Sequence, residues 1–223
     1  VLRQLDIDLS SQQLPLGRGV SINLSAQSIS HPDIVSQLLE LSRHNARHPL
    51  MLEITETSLI TQMVEVRTHL DLLRTVNYRI AMDDFGTGYS PLRYLVDLPV
   101  DVVKFDTALV NKLGQNDRAA RVVADFVQMM NDAGYLLVAE GVETEWVLQK
   151  VEKLGFAHVQ GNLLGRPITL SQLATPPAPT DTGPRAPRDD NGLVLARTPD
   201  GEKDPHAVEK RDQESQKTEK RQA

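Results

Sequence analysis

The chain has 223 residues, 40% of them hydrophobic, no cysteine and a formal net charge of -6. That size and apolar fraction suit one globular unit with a sizeable core, and the missing thiols exclude disulfides and thiolate metal sites, leaving carboxylate, amide and imidazole ligands. The negative balance, with no segregated basic stripe, argues against a nucleic-acid polymer or an anionic membrane surface as partner.

The N-terminus has neither the charged and apolar regions of a signal peptide nor, anywhere downstream, a run of about 18 apolar residues to span a bilayer, so a cytoplasmic location is expected. Val1-Leu2-Arg3-Gln4-Leu5 reads as the end of a helix already under way, and the N-terminus therefore reads as cut. From Gly19 to about Arg166, short β-branched or apolar runs alternate with longer stretches of helical periodicity, as in βαβ units of a parallel sheet. The strand-like runs are Val20 to Leu24, Leu50 to Ile54, Tyr78 to Met82, Asp101 to Phe105, Tyr135 to Ala139 and His158 to Gln160. Helical stretches include Ile34 to Arg43, Val64 to Thr75, Arg118 to Ala133 and Glu145 to Leu154, with Gly134 and Gly155 as stops.

Parallel strands need both faces covered, which a doubly wound sheet or a (β/α)8 barrel achieves. The strand ends favour the barrel. In order they carry Asn23, Glu53, Asp83 with Asp84, Lys104 with Asp106, Glu140 with Glu143, and Gln160. Functional groups drawn from the carboxyl ends of many strands suit a barrel's catalytic face, whereas a doubly wound sheet concentrates its site in one crevice. Six units are two short of a closed barrel, so the missing strands are expected before Val1. Beyond Ile168 the composition turns to Ser, Thr, Pro, Asp, Lys and Glu, which cannot offset ordering entropy. The expected organisation is one domain over 1–170 and a disordered polar tail over 171–223.

The most informative segment is Met82-Asp83-Asp84-Phe85-Gly86-Thr87-Gly88-Tyr89-Ser90. Adjacent strand residues point opposite ways, so both acids reach one site only if the chain turns there, which the glycines permit. Taken without context it is an ordinary surface loop, but it closes an apolar strand and is matched by acids at other strand ends. Glu53 falls where a side chain faces a barrel interior and needs a cation or hydrogen-bond partner. Glu56 is equally readable as part of a helix-capping pattern with Thr55, Thr57 or Ser58. A lone Asn such as Asn23 usually ends a strand as a turn residue, while Lys104, inside Val102-Val103-Lys104-Phe105, needs an anion to be buried. Glu143 and Glu145 are also readable as first-turn acids of a helix. His31, His44, His48, His69, His158 and His206 show no ligand spacing and read as surface or satisfied core groups. Converging Asn, Glu and Asp oxygens suit Mg2+ or Mn2+, and tandem acids suit a metal pair of the kind that hydrolyses phosphodiesters. The substrate stays open at this point.

In their order and content, Asn23-Leu24-Ser25, Leu52-Glu53-Ile54-Thr55-Glu56, the segment from Asp83 to Ser90, Lys104-Phe105-Asp106, Ala139-Glu140-Gly141-Val142-Glu143 and Gln160-Gly161 resemble the EAL domain family. The resemblance covers about Val1 to Ile168 and implies a (β/α)8 TIM-type barrel lacking its first strands. It also implies hydrolysis of cyclic di-GMP to linear pGpG with Mg2+ or Mn2+, in two ions. It makes Asn23, Glu53 and Asp83 metal ligands, with Asp84 reaching the second metal. It gives Lys104 the attacking water to orient, and makes Glu140 the general base or a second-metal partner. Glu56 steadies the loop that begins at Asp83, and Gln160 and Glu143 bind substrate, the latter also at the metal site. A homodimer, and an upstream sensory, receiver or GGDEF domain in the parent, are family expectations. The glutamate of the naming motif lies upstream of Val1. Asn162 and Leu164 stand where the family usually has aromatic residues, and Thr107, Ala108 and Leu109 replace the more usual Arg, Ser and Phe. The alternatives are a degenerate domain that acts as a non-catalytic cyclic di-GMP receptor or protein-interaction module, and a different metal-dependent barrel enzyme.

Overall fold

A computed structural model of the chain describes residues 1–11, 14–55, 63–87, 91–113, 117–174 and 194–195. Helix α1 (Leu2–Ser10) leads into strand β1 (Val20–Leu24), followed by α2 (Ala26–Ser30) and α3 (Pro32–Leu41). Then come β2 (Leu50–Thr55), α4 (Met63–Thr75), β3 (Arg79–Phe85), α5 (Pro91–Asp97) and β4 (Val102–Phe105). The remaining elements are α6 (Thr107–Lys112), α7 (Asp117–Asp132), β5 (Leu136–Ala139), α8 (Glu145–Lys153), β6 (His158–Val159), α9 (Leu170–Ala174) and β7 (Val194–Leu195).

Local chemistry accounts for the boundaries. Ser25, Asp106 and Thr144 cap α2, α6 and α8 with side-chain oxygens that accept from Ser28, Ala108 and Val147 N–H groups. Pro32 opens α3 with Asp33 in its first turn. Gly134 (φ +86°) and Gly155 (φ +84°) end α7 and α8 in left-handed backbone, as their sequence positions predict. Helices α2, α5, α6 and α9 have five to seven residues, under two turns, too short for periodicity to single them out.

Strands β1 to β6 are all parallel and lie side by side in chain order. This order has no reversal and hence no switch point, which is the winding of a barrel wall rather than of a doubly wound sheet. The alternation of side chains then separates two faces. Leu50, Leu52, Ile54, Ile80, Met82, Val103, Phe105, Leu137 and Ala139 form one buried cluster with Leu38 and Leu41 of α3, Leu70 and Leu73 of α4, Val127 of α7 and Val151 of α8. Phe85, Phe105, Phe126 and Phe156 pack ring to ring within it, at centroid distances of 5.1 to 5.5 Å along the chain of contacts. The opposite face carries a smaller cluster of Ala81, Val102 and Val138, with Met51 and Leu136 packed against it.

Most of the segment after Ala174 lies outside the described residues. Its two described positions, Val194 and Leu195, pair antiparallel with Val159 and His158. They belong to Leu193-Val194-Leu195, the only apolar run in a polar segment, and they cover the backbone edge of β6.

Candidate active site

The polar residues predicted at strand ends emerge on the inner face, at the carboxyl edge of the sheet. Asn23 pairs in register with Glu53, so both lie on that face of neighbouring strands. On four neighbouring strands Met51, Ala81, Val102 and Val138 form the apolar floor. Two residues further along each of them, Glu53, Asp83, Lys104 and Glu140 replace it with charge.

These four side chains meet. The Lys104 ammonium lies 2.8 Å from Glu53 Oε2, 2.8 Å from Asp83 Oδ1 and 2.8 Å from Glu140 Oε1, with the Lys104 side chain only 6% exposed. It donates a hydrogen bond to Glu53 Oε2. The contact with Asp83 Oδ1 is close but misaligned for a hydrogen bond, and this buried oxygen has no hydrogen-bond partner among the described residues. Burial pulls the ammonium towards neutrality, but the carboxylates of Asp83, Glu140 and Glu53 outweigh it and hold Lys104 above its ordinary range. Burial acts the other way on Glu140 and raises its carboxyl; Lys104 lowers it in part, and the charges of Asp83 and Glu53 add to the rise. The Asp84 carboxyl is also raised, first by burial and then by the neighbouring charges of Asp83 and Asp106.

The turn that lets two adjacent acids share one site is made chiefly by Asp84 itself. Its φ is +55°, and Gly86 follows at φ +102°. The β3–β4 register shifts between Met82 and Phe85, so the strand bulges where the acids sit. Left-handed backbone at an aspartate costs about 1–2 kcal/mol and is tolerated better than at most residues. With the chain so bent, single carboxylate oxygens of Asp83, Asp84 and Glu140 all lie within 4.8 Å of one another. Three hard oxygen donors at that spacing, one on a buried carboxylate whose Oδ1 lacks a hydrogen bond, fit a divalent cation of the Mg2+, Mn2+ or Ca2+ type.

Gln160 is exposed just past β6, its backbone bonded to Ala139 O and Val142 N–H. Glu143 is exposed and accepts from Asn162 Nδ2 at 3.3 Å. Both flank the buried cluster, and neither is bonded to it. Glu56 lies outside the described residues. Asp106, named with Lys104 among the strand-end groups but given no specific role there, caps α6 and bears electrostatically on Asp84. Among the histidines, His44 bonds Asp6 and His69 bonds Ile29 O. His48 departs from the expectation of a satisfied core group, since it is buried and its Nδ1 has no partner among the described residues. It sits with Leu9, Leu14 and Arg47, away from the acids.

Among the described residues no helix is long and apolar enough to cross a membrane. Residues 1–167 match the family model of the EAL domain. The bifunctional diguanylate cyclase/cyclic di-GMP phosphodiesterase MucR of Pseudomonas aeruginosa is 35% identical over 156 residues, which is 69% of this chain and 23% of that protein. The chain thus spans about a quarter of the length of curated relatives of this kind. The crystal structure of the EAL domain of Mycobacterium smegmatis DcpA superposes with a TM-score of 0.65 at 34% identity, over 70% of this chain and 71% of that one. A Klebsiella pneumoniae BlrP1 complex with manganese and cyclic di-GMP superposes with a TM-score of 0.66 at 33% identity, over 74% of this chain and 44% of that one. By its sheet winding, its ring of strand-end acids and this match, the chain belongs to the EAL domain family.

Proposed function

We propose that this chain is the metal-binding part of a phosphodiesterase that hydrolyses cyclic di-GMP to linear pGpG, with its domain over 1–170 and residues 171–223 as a polar extension. The observation that carries the reading is the convergence of Glu53, Asp83 and Glu140 from three strands on Lys104, with Asp84 turned towards the same point. The manganese and cyclic di-GMP complex of the BlrP1 relative supports it.

Asn23, Glu53, Asp83 and Asp84 are the residues that would hold Mg2+ or Mn2+. The chemistry such an ion would supply there is polarisation of a phosphodiester oxygen and a water that is a better nucleophile at neutral pH. Glu140, lifted above the usual carboxylate range by burial, is suited to take the proton from the attacking water. The Lys104 ammonium, kept charged by its carboxylates, donates to that water or to a phosphate oxygen and fixes its direction. The water oxygen bonds to phosphorus, the opposite P–O bond of the cyclic dinucleotide breaks, the leaving ribose oxygen takes a proton from solvent to become a hydroxyl, and the ring opens to pGpG. Gln160 and Glu143, on the rim, are assigned to the substrate, and Glu56 to steadying the Asp83 loop. Two ions, a homodimer, a cytosolic location and further domains in the parent protein belong to the same reading.

The test is incubation of the parent protein, with the residues expected upstream of Val1 in place, with cyclic di-GMP and Mn2+, with pGpG quantified by chromatography. The reading requires product that EDTA or Glu53→Ala abolishes. Tight binding of the nucleotide with no pGpG over hours would replace it with the receptor reading.

A further inference from the structure

Two side chains of the short helix α6 press on the backbone beside the site's carboxylates. The β4–α6 junction is bonded to both neighbours: Asp106 N–H donates to Phe85 O at 3.2 Å, and Phe105 O accepts from Glu140 N–H at 3.1 Å. Leu109 then lies against Gly86, where an added Cβ would stand 2.8 Å from Leu109 Cδ2. Thr107 lies against Gly141, where an added Cβ would collide with Thr107 Oγ1 and Cγ2. Gly86 is two residues beyond Asp84, and Gly141 directly follows Glu140. Both glycines have positive φ, +102° and +67°. A glycine offers no compressible side chain at the contact, so a shift of the helix passes straight into the turn it touches.

We infer that Thr107 and Leu109 are positioning residues, which wedge the Asp84–Gly86 and Glu140–Gly141 turns apart at the spacing that lets Asp83, Asp84 and Glu140 share one cation. The inference rests on the metal-site reading proposed above. Leu109 governs the aspartate side of the site, and Thr107 governs the Glu140 side. Both act through backbone that carries the ligands.

The experiment is a Mn2+ titration followed by electron paramagnetic resonance, on the wild type and on Leu109→Ala, Thr107→Ala, Leu109→Met and Val110→Ala. Amide hydrogen exchange in EDTA is measured in parallel. Leu109→Ala and Thr107→Ala should each weaken Mn2+ binding by about tenfold, as loss of a supporting contact does at metal sites. Leu109→Ala should speed exchange at the Thr87 amide, which bonds Asp84 O, and Thr107→Ala at the Glu140 and Val142 amides. Leu109→Met, which conserves volume, should bind Mn2+ as the wild type does. Val110 is fully buried in the core on the same helix; Val110→Ala should lower the unfolding midpoint and leave Mn2+ affinity unchanged. Wild-type Mn2+ binding that both Ala variants match, or an equal loss in Val110→Ala, overturns the positioning role alone. A wild type that binds no Mn2+ sinks the metal reading and the positioning role with it.

Discussion

On the inner face of the sheet, two layers of side chains one pleat apart on the same strands carry opposite chemistry. Met51, Ala81, Val102 and Val138 form an apolar layer. Glu53, Asp83, Lys104 and Glu140, two residues further along those strands, form a charged one. The charged side chains themselves are 6 to 16% exposed, so they act on each other in a medium less polarisable than water. The Lys104 ammonium offsets part of the repulsion among the three carboxylates, and burial with the charges of Asp83 and Glu53 pushes Glu140 towards its protonated form, so the site should be far more sensitive to a lost charge than its floor is to a lost contact.

The strongest way to break this contrast is Lys104→Met, which keeps a long side chain and removes the charge. Three acids are then left without a counter-ion, and stability to urea in EDTA should fall by about 3–5 kcal/mol. An unchanged urea midpoint would mean the cluster is solvated rather than mutually compensated. Next in size is the gain from an added cation. Mn2+ at about 100 times its dissociation constant should raise stability by about 2.7 kcal/mol, and Asp83→Ala should erase the increment in a thermal melt. A smaller effect is expected from carrying polarity one layer down. Val138→Thr is nearly isosteric, but it buries a hydroxyl in the apolar floor and should cost about 2 kcal/mol in chemical denaturation. A neutral result would show that water reaches the floor.

The mildest probe is pH. Burial raises the Glu140 carboxyl from its ordinary 4.5, so the folded state holds that proton to a higher pH than the unfolded chain does. Its contribution to stability is therefore fully present below about pH 4.5 and is lost as pH rises through the folded value. Glu140→Gln should flatten that decline in urea midpoints measured across the carboxylate range. A slope identical to the wild type would assign it to another group.

The two layers also divide what could be read before the fold was known. Short apolar runs with polar residues at their ends are a property of local order, so β1 is legible to the residue and the boundaries of β2 to β6 to within three residues. The extension of β3 through Phe85 was not legible, because a bulge at Asp83 and Asp84 resets the alternation. Lys104 announces itself as a lysine in an apolar strand, which demands an anion, but its three partners come from 21 to 51 residues away along the chain. The left-handed backbone at Asp84 was hidden behind the glycines that follow, since a permissive residue nearby is the likelier-looking hinge in a one-dimensional reading.

The sequence by itself determined the alternation of strand and helix, the composition of the two faces and the list of candidate ligands, because each depends on side-chain chemistry and spacing along one element. Only the tertiary structure decided which candidates meet. Glu53, Asp83 and Glu140 close on Lys104, while Gln160 and Glu143 stay at the rim. Contact across strands follows from parallel register and from the backbone bend at Asp84, both of which are settled by packing between segments distant in sequence. The contacts of Thr107 with Gly141 and of Leu109 with Gly86 belong to the same class, since glycine shows in a sequence only that close approach is possible and the fold supplies what approaches.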